Sequence, residues 1–233
     1  MKIAVFADIQ GNAFALEAAL NDLQRHQPDL SICLGDVATG PEPVRCLHLL
    51  QAINCQVVQG NMDAAVLNLQ PYHGDDSDEQ RYNEMDQWCA AQLSESDRRY
   101  IASFRPQIEL ETPFGRLLCV HGSPVSYDDV IEATTPDTQL THLLGDHRPD
   151  VLAVGHMHTP MLRTFEEMTI FNPGSIGLPY GAHRPMPYQA QYVILQEGDI
   201  HFHSVHYDAA LFRQRLLAGG MPHSAWFASK WQG

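Results

Sequence analysis

The sequence contains little positive charge, and its only lysines are Lys2 and Lys230. Its 233 residues include 14 Lys+Arg and 28 Asp+Glu, which gives a formal net charge of −14 at pH 7. Because Lys and Arg make most contacts to nucleic-acid phosphates, this composition argues against a surface that binds long duplex nucleic acid. The shortage of lysine also excludes a polybasic patch for anionic lipid.

The sequence also lacks a long hydrophobic run and any Cys-x-x-Cys pair. The first apolar run ends at Asp8. It is far shorter than the roughly 20 residues of a membrane-spanning helix. It is also shorter than the apolar region of a signal peptide, which has about 7–15 residues. We therefore expect no membrane partner. The number of cysteines is odd, which favours reduced thiols in a cytoplasmic protein over a disulfide framework. They are Cys33, Cys46, Cys55, Cys89 and Cys119.

The length and the apolar fraction of 44% suit one globular α/β domain over residues 1–233. The N-terminal half alternates short apolar runs with amphipathic segments, and the second half is rich in strand patterns. We expect a helical insertion over residues 62–105 that covers one edge of the fold. The patterns together predict two sheets that share one core, with helices outside.

Several local patterns predict helices and their ends. Asn12 is expected to cap a helix over Ala13–His26, and a long helix is expected over Ser77–Phe104. Trp226 and Trp231 lie in a C-terminal tail that is expected to dock on the body of the protein or on another subunit. Two further histidines, His201 and His203, alternate along a predicted strand, which favours a solvated strand face over a second metal site.

Five predicted strand ends carry a short glycine-containing turn with a side chain that can bind metal. In parallel α/β sheets the carboxyl ends of strands meet at one edge, so we expect these side chains to converge. Asp, Asn and His supply donors that Mn²⁺, Fe, Zn²⁺ or Ni²⁺ accept. Each turn alone is a weak signal, whereas the five in this order are specific. The turns are Asp8-Ile9-Gln10-Gly11-Asn12, Gly35-Asp36, Gly60-Asn61-Met62-Asp63, His121-Gly122 and Gly155-His156-Met157-His158.

This series of turns resembles the calcineurin-like metallophosphoesterase superfamily, in its small bacterial and archaeal phosphodiesterase branch. The family pattern is Asp-x-His, Gly-Asp, Gly-Asn-His-Asp/Glu, His and Gly-His-x-His, and the matching turns span nearly the whole chain. The segment Asn172–Gly177 resembles the Asn-Pro-Gly-Ser turn of that branch. The resemblance implies an α/β fold, a four-layer αββα sandwich of two mixed β-sheets flanked by helices.

The resemblance also implies a dinuclear site for two divalent metal ions, with Mn²⁺ expected and Fe, Zn²⁺, Ni²⁺ or Mg²⁺ as alternatives. Asp36 would bridge the ions, because a carboxylate has two oxygens and its charge offsets the cations. The ions would activate a water as hydroxide, which attacks phosphorus in line with the leaving group. The implied ligands of one ion are Asp8, Gln10, Asp36 and His158, and those of the other are Asp36, Asn61, His121 and His156.

Two positions depart from the family pattern. Gln10 stands where the family has a ligand histidine, and its amide oxygen is a weaker, neutral donor. Met62 stands where many members have a histidine that contacts phosphate and protonates the leaving group. Methionine has no proton to donate, and losing general-acid help typically costs about 10²–10⁴-fold. In its place His183 or Arg184 could approach the phosphate, or both could belong to an exposed polar loop.

The implied site therefore has catalytic and substrate-binding members besides the ligands. Asp63 would orient the missing histidine, or would only cap a helix that begins at Ala64. The expected catalytic residues are Asp36, Asn61 and Asp63, and the expected substrate-binding residues are Asn12, Met62, His183 and Arg184.

These residues predict a phosphodiesterase that acts on small, nucleotide-derived substrates such as cyclic nucleotides, dinucleoside polyphosphates or short nucleotide diesters. The sequence leaves open whether the protein is a monomer or a homo-oligomer. The main alternative function is a weakly active or inactive binding or regulatory module, which the replacements at Gln10 and Met62 favour. Six of the seven implied ligands keep the family identity, which favours the enzyme. A protein phosphatase is a third alternative, but no feature indicates a groove for acidic peptides.

Overall fold

The computed structural model describes residues 1–178 and 188–231 of the chain. The strands of this part form two five-stranded mixed sheets. They are β1 (Lys2–Phe6), β2 (Leu30–Cys33), β3 (Gln56–Val57), β4 (Ile108–Thr112), β5 (Gly115–Cys119), β6 (Val151–Ala153), β7 (Met161–Phe165), β8 (Met168–Asn172), β9 (Gln189–Gln196) and β10 (Asp199–His206).

The strand order is β10–β9–β1–β2–β3 in the first sheet and β4–β5–β6–β8–β7 in the second. The central strands are parallel to one another: β1 with β2 and β3, and β5 with β6 and β8. The outer strands β9, β10, β4 and β7 pair antiparallel. The predicted site turns all follow parallel strands, so the topology brings them to the edges where ligands bind in such sheets.

Helices cover the outer faces of both sheets. In the described part of the chain they are α1 (Ala13–His26), α2 (Pro43–Ala52), α3 (Asn61–Leu67), α4 (Ser77–Gln92), α5 (Glu95–Ala102), α6 (Asp137–Leu144), α7 (Ala209–Ala218), α8 (Ser224–Ala228) and a 3₁₀ turn at Ser229–Trp231. None of these described helices has the length and apolarity needed to cross a bilayer.

The packing of β1 explains why two sheets share one core. Side chains alternate between the two faces of a strand, and β1 is buried from Ile3 onward. Ile3 and Val5 pack between the sheets, in a core with apolar residues of the second sheet. Ala4 and Phe6 pack on the opposite face against the helices of the outer layer. Together with α6 on the far side of the second sheet, this confirms the four-layer αββα architecture.

Two of the predicted helix boundaries in region 62–105 are wrong. The helix predicted to begin at Ala64 begins at Asn61, so Asp63 lies inside its first turn and is not the cap. The helix predicted over 77–104 is divided into α4 and α5, because Ser94 starts a new helix. The Ser94 Oγ accepts the Asp97 N–H at 3.2 Å, and the Asp97 carboxylate accepts the Ser94 N–H at 2.9 Å. This reciprocal capping box stabilises the start of α5.

The C-terminal segment, predicted only as a tail, forms α7 and α8 and packs on the body of the protein. Trp231 donates from its indole Nε1 to the Tyr207 hydroxyl at 2.8 Å. Its ring also packs against Phe212 and Phe227, with centroids 5.0 and 5.3 Å away. Met85 of α4 belongs to the same apolar cluster, so α7 and α8 pack against the helical region as well as against each other.

The histidines of β10 lie on a strand face, as predicted. The ring of His203 stacks on Tyr192 with centroids 5.0 Å apart, and the ring of His26 lies 4.5 Å away. His201 is exposed. Over residues 1–178 and 188–231, neither strand histidine belongs to a group of three side chains placed to hold a metal.

Asp86 of α4 links the helical region to the loop after β2. Its side chain is buried and accepts a hydrogen bond from the Thr39 hydroxyl at 2.7 Å. Burial raises the pKa of Asp86 from its ordinary 3.8 to about 7. The folded state therefore binds this proton more tightly than the unfolded chain does. Stability that is present below about pH 4 is lost as the pH rises through about 7.

We therefore expect Asp86→Asn to flatten the pH dependence of stability of the metal-stripped protein. Between about pH 5.5 and about pH 8, the free energy of unfolding of the wild type should fall by roughly 2 kcal/mol relative to that of the variant. Urea unfolding at the two pH values measures this difference. Glu79→Gln, at an exposed position of the same helix, is the control, and parallel pH profiles of Asp86→Asn and wild type would contradict the expectation.

Candidate metal centre

The polar turns after five strands meet at one edge of the two sheets. In the first sheet, Asp8, Asp36 and Asn61 follow β1, β2 and β3. In the second sheet, the loops after β5 and β6 carry His121 and the pair His156 and His158. The convergence expected from the order of the turns is therefore present in the structure.

Asp36 belongs to two groups of side chains that could each hold a metal ion. In one group, ligand atoms of Asp8, Asp36 and His158 all lie within 4.8 Å of one another. In the other, the same holds for Asp36, His121 and His156. The carboxylates of Asp8 and Asp36 are buried, so both groups offer negative charge in a place with little water. Asp36 occupies the shared position that was expected for a bridging ligand.

The backbone at the candidate ligands adopts a conformation that L-residues rarely take. Positive φ values in the left-handed region cost roughly 1–3 kcal/mol for non-glycine residues and cluster at functional sites. Such strain persists only where the surrounding structure imposes it. Five candidate ligands have it: Asp8 (57°), Gln10 (50°), Asp36 (57°), His156 (67°) and His158 (54°).

Asp63 organises the loop that carries Asp36. Its fully buried carboxylate accepts hydrogen bonds from the backbone N–H groups of Asp36 (2.8 Å), Val37 (2.9 Å), Ala38 (3.0 Å) and Gly60 (3.1 Å). Burial and the adjacent Asp36 carboxylate raise the pKa of Asp63 to about 6. Asp63 thus acts through the backbone around Asp36. The catalytic role expected for Asp63 from the sequence stays a prediction.

The close approach between the loops after β2 and β3 requires glycine at one point. A Cβ atom on Gly60 would lie 2.1 Å from Oδ1 of Asp36, well inside any allowed contact. The same Oδ1 accepts the backbone N–H of Met62 at 2.9 Å. The first turn of α3 therefore holds the Asp36 carboxylate directly as well as through Asp63.

Backbone carbonyls orient two of the histidines. His121 Nδ1 lies 2.7 Å from the carbonyl oxygen of Leu34, and His158 Nδ1 lies 2.8 Å from that of Leu178. A carbonyl only accepts, so each Nδ1 carries a proton and Nε2 is the ring nitrogen that faces the site and could bind a metal. The Nε2 of His121 is 3.0 Å from Asn61 Oδ1, and the Nε2 of His158 is 3.4 Å from Asp8 Oδ1. Metal-binding histidines typically make a hydrogen bond like those from Nδ1 to Leu34 and Leu178, with the ring nitrogen that does not bind the metal.

The hydrogen-bonding needs of the buried oxygens fit a bound cation. Among the described residues, neither carboxylate oxygen of Asp8 nor Oε1 of Gln10 accepts a hydrogen bond of normal geometry, and the contact of Asp8 Oδ1 with His158 Nε2 is 3.4 Å long. The Gln10 amide meanwhile donates from Nε2 to Asp36 Oδ2 at 2.9 Å. Buried oxygens without partners are costly in a protein interior, and a cation would satisfy them. Carboxylate, amide and imidazole donors together match divalent transition metals. The residues present therefore fit the metal ions that the family resemblance implies.

The charge balance of the site also favours cations. Burial lowers the pKa of His121, but the carboxylates of Asp36 and Asp8 outweigh it, so the pKa lies above its ordinary value. The pKa of His158 is raised against burial in the same way, chiefly by Asp8. The pKa of His156 is lowered, first by burial and then by the charge of His121. The buried carboxylates thus stabilise positive charge on their neighbours, and divalent ions would carry that charge more effectively.

A cavity of about 360 Å³ opens onto the candidate ligands. The polar residues that line it are Gln10, Asp36, Asn61, His156 and His158. The apolar or aromatic residues that line it are Met62, Tyr82, Val130, Met157 and Leu178. A larger groove of about 530 Å³ lies elsewhere, beside α2 and α4, and none of the candidate ligands lines it.

The expected substrate-binding residues have different positions. Met62 lines the cavity. Asn12 is fully buried, where its Oδ1 accepts the Ala15 N–H at 3.0 Å and its Nδ2 donates to the Gly177 carbonyl at 2.9 Å. Asn12 therefore caps α1, as predicted, and holds the loop after β8 against it. His183 and Arg184 lie outside the described residues.

Tyr82 is a cavity residue that the sequence did not reveal. It lies on α4, whose residues are polar on nearly all sides, so no periodic pattern marks one face as functional. The two large aromatic residues of this polar helix, Tyr82 and Trp88, were the available signal. Val130 likewise comes from a loop without a recognisable motif, whereas Leu178 directly follows the segment Asn172–Gly177.

Comparison with known proteins identifies the class of protein. Residues 1–198 match the calcineurin-like phosphoesterase superfamily domain, and the chain belongs to this superfamily. Its members depend on divalent metal ions, and the assignment makes the protein a hydrolase of phosphoester bonds. The resemblance seen in the five turns is thereby confirmed.

Three relatives illustrate how far the likeness extends. An uncharacterised protein of Methanocaldococcus jannaschii is 27% identical and aligns over 94% of this chain and 93% of its own. A metallophosphoesterase structure from Sphaerobacter thermophilus has a TM-score of 0.76 at 23% identity, covering 99% of this chain and 98% of the other. The structure of a hypothetical protein from Pyrococcus horikoshii has a TM-score of 0.83 at 19% identity, covering 99% and 97%. The two structural likenesses show the shared fold.

Proposed function

We propose that the protein hydrolyses phosphodiester bonds of small substrates with two divalent metal ions bound around Asp36. The observation that carries this proposal is the place of Asp36 in two groups whose ligand atoms lie within 4.8 Å of one another. One carboxylate shared by two groups suits a pair of ions about 3.5–4 Å apart that clamp one phosphoryl group.

The proposed ligand sets follow the two groups and add one amide oxygen to each. The unpartnered Oε1 of Gln10 supports its addition to the first set, and the 3.0 Å approach of Asn61 Oδ1 to His121 Nε2 supports the second. Bound ions supply Lewis-acid polarisation of the phosphoryl group and lower the pKa of water. The proposed sets are Asp8, Gln10, Asp36 and His158 for one ion, and Asp36, Asn61, His121 and His156 for the other.

The cavity favours a singly charged phosphodiester over a doubly charged monoester. Of the residues that the structure describes, no Lys or Arg lines the cavity, so within this part of the chain the metal ions would supply the positive charge that balances the substrate. Met62 has no proton to give to a leaving group. Substrates whose leaving group is stable as an anion are therefore expected to react fastest. Because Met62 cannot protonate the leaving group, we expect slow hydrolysis of substrates with poor leaving groups.

The size of the cavity supports small, nucleotide-derived substrates. Ligand pockets commonly measure about 300–1,000 Å³, and 360 Å³ lies near the lower limit. A long duplex has no matching basic surface, because the chain carries a net charge of −14. We propose Mn²⁺ as the metal and the cytoplasm as the compartment. All five cysteines are buried and unpaired, which supports a reducing environment.

The proposal is tested by hydrolysis of bis-p-nitrophenyl phosphate, with p-nitrophenyl phosphate as the monoester. Metal-stripped protein should hydrolyse the diester only after Mn²⁺ is added, and should prefer it to the monoester. Asp8→Asn removes the charge of a buried ligand and should lower the Mn²⁺-dependent rate more than about 100-fold, since even outer-sphere changes cost about 10–100-fold.

The control variant is Glu95→Gln, at an exposed position of α5, and it should retain the wild-type rate. Equal rates for wild type and Asp8→Asn, or a preference for the monoester, would contradict the proposal. No turnover at all with saturating Mn²⁺ would favour the alternative of a binding or regulatory module.

A further inference from the structure

Tyr82 supplies the one Phe, Tyr or Trp ring among the described residues that line the cavity. Met62 and Met157 line the same cavity, and thioether groups make favourable contacts with aromatic rings. Lys230 Nζ lies 5.7 Å from the centroid of the Tyr82 ring. Tyr82, Met62 and Met157 together offer apolar contact surface in the same cavity as the candidate ligands.

The C-terminal segment contacts Tyr82 through Trp226. The rings of Tyr82 and Trp226 meet edge to face, with centroids 5.2 Å apart and planes at 79°. Trp226 in turn lies between two cations: Lys230 Nζ is 4.6 Å from its ring centroid and Arg81 Cζ is 5.2 Å away. Edge-to-face pairs and cation–π contacts each stabilise a defined ring position.

A second contact fastens α4 to the same segment. His223 Nε2 lies 2.8 Å from Glu84 Oε2, and Met85 packs in the apolar cluster formed by Phe212 and Phe227. The residues of this support, from 209 onward, lie beyond the part of the chain that matches the superfamily domain, residues 1–198. Tyr82, a lining residue from the helical region, is thus supported by a segment outside the part of the chain that matches the family domain.

We infer that Tyr82 forms a subsite for a planar aromatic group of the substrate, such as a nucleobase or an aryl ester. The inference rests on the proposed function, because it places the phosphoryl group at Asp36 and the ring against Tyr82. Stacking on an aromatic side chain accepts any base, since every base has a π face. The subsite therefore selects aromatic over aliphatic groups and does not distinguish one base from another.

Phosphonates test this subsite without hydrolysis. Phenylphosphonate, cyclohexylphosphonate and methylphosphonate carry the same anionic group and differ in the substituent that would contact Tyr82. In calorimetric titrations of Mn²⁺-loaded protein, the wild type should bind phenylphosphonate about tenfold more tightly than methylphosphonate. It should bind cyclohexylphosphonate more weakly than phenylphosphonate.

Two variants separate the ring from the hydroxyl group. Tyr82→Leu should abolish most of the preference for the phenyl compound while leaving Mn²⁺ affinity and the melting temperature close to wild type. Tyr82→Phe, the matched control, should retain the preference because it keeps the ring. Equal binding of the phenyl and cyclohexyl compounds by the wild type would overturn the inference. An unchanged preference in Tyr82→Leu, or failure of every phosphonate to bind, would overturn it too.

The same titrations separate this inference from the proposed function. If the protein prefers phenylphosphonate through Tyr82 but hydrolyses no diester, the subsite stands and the proposed function fails. If diesters are hydrolysed but Tyr82→Leu treats thymidine-5′-p-nitrophenyl phosphate and methyl p-nitrophenyl phosphate as the wild type does, the proposed function stands and the subsite fails.

Discussion

Asp36→Asn is expected to abolish binding of both metal ions and to lower diester hydrolysis by more than 100-fold, about the upper limit for residues that only orient a ligand. Asp36 is the member common to both candidate groups, so one substitution weakens two sites at once. Titration of the metal-stripped protein with Mn²⁺ measures the affinity, and bis-p-nitrophenyl phosphate measures the rate.

Without metal, the Asp36→Asn variant should be at least as stable as the wild type, although its metal affinity and its rate of hydrolysis fall. Burial raises the pKa of Asp36, so its ionised form costs stability at neutral pH when no cation is bound. Metal-stripped Asp36→Asn should therefore unfold at a temperature equal to or above that of metal-stripped wild type. Added Mn²⁺ should stabilise only the wild type, by about 2.7 kcal/mol when the metal is present at roughly 100 times its dissociation constant.

The control for these measurements is Glu95→Gln, which should match the wild type in affinity, rate and metal-induced stabilisation. Retention of wild-type Mn²⁺ affinity by Asp36→Asn would contradict the shared-ligand assignment. A melting temperature for the metal-stripped variant well below that of the wild type would contradict the charge argument.

Asp63→Ala is expected to have the second-largest effect, on stability and on metal affinity together. Four backbone N–H groups would lose a buried acceptor. Each unsatisfied buried group costs about 1–3 kcal/mol, and water entry recovers part of the sum, so we expect a net loss of about 4 kcal/mol. Three of these donors are Asp36, Val37 and Ala38, so the loop that carries Asp36 should also loosen. Mn²⁺ affinity should fall by about 10–100-fold, as for other outer-sphere changes.

Asp97→Ala is a matched control for Asp63→Ala. Asp97 is also buried, and its carboxylate accepts the Ser94 N–H in the first turn of α5. Its loss should reduce the free energy of unfolding, measured in urea, without changing Mn²⁺ affinity. If Asp63→Ala behaved like Asp97→Ala in both measurements, Asp63 would have no positioning role toward the metal site.

The strand ends of the site could be predicted because their signal is local. A parallel strand buried on both faces reads as a continuous apolar run, and a polar residue next to glycine marks its end. The runs before Asp8, Asp36 and His156 show this pattern. Within the described residues, α1 accordingly has its predicted bounds, Ala13–His26, and the polar turns at Asp8, Asp36, His121 and His156 follow strands, as predicted.

The role of Asp63 could not be predicted, because its partners are distant in sequence. A carboxylate near the start of a helix ordinarily indicates a cap. Here the carboxylate reaches across to Asp36, Val37 and Ala38 after β2, and α3 starts at Asn61 instead of Ala64. Helix propensity is a weak preference that tertiary contacts override.

The place of Tyr82 in the cavity could not be predicted either, because its supporting contact is with a residue distant in sequence. Its supporting partner, Trp226, lies on α8, and the edge-to-face contact forms only when the C-terminal segment packs on α4. Periodicity in either helix reports which residues are buried, but not which distant residue they meet. The break between α4 and α5 has a local cause instead, because the Ser94–Asp97 capping box joins residues three apart and starts a new helix.

By itself, the sequence determined the fold class, the order of the polar turns and the chemical types of the candidate ligands. These properties depend on local apolar patterning and on the convergence of parallel strand ends, both of which are readable along the chain. Only the tertiary structure decided how close the Asp36 carboxylate lies to both groups of ligand atoms, that Asp63 contacts the backbone around Asp36, and that Tyr82 lines the same cavity as the ligands. Each of these depends on distances between segments far apart in sequence, which packing sets and local pattern does not record.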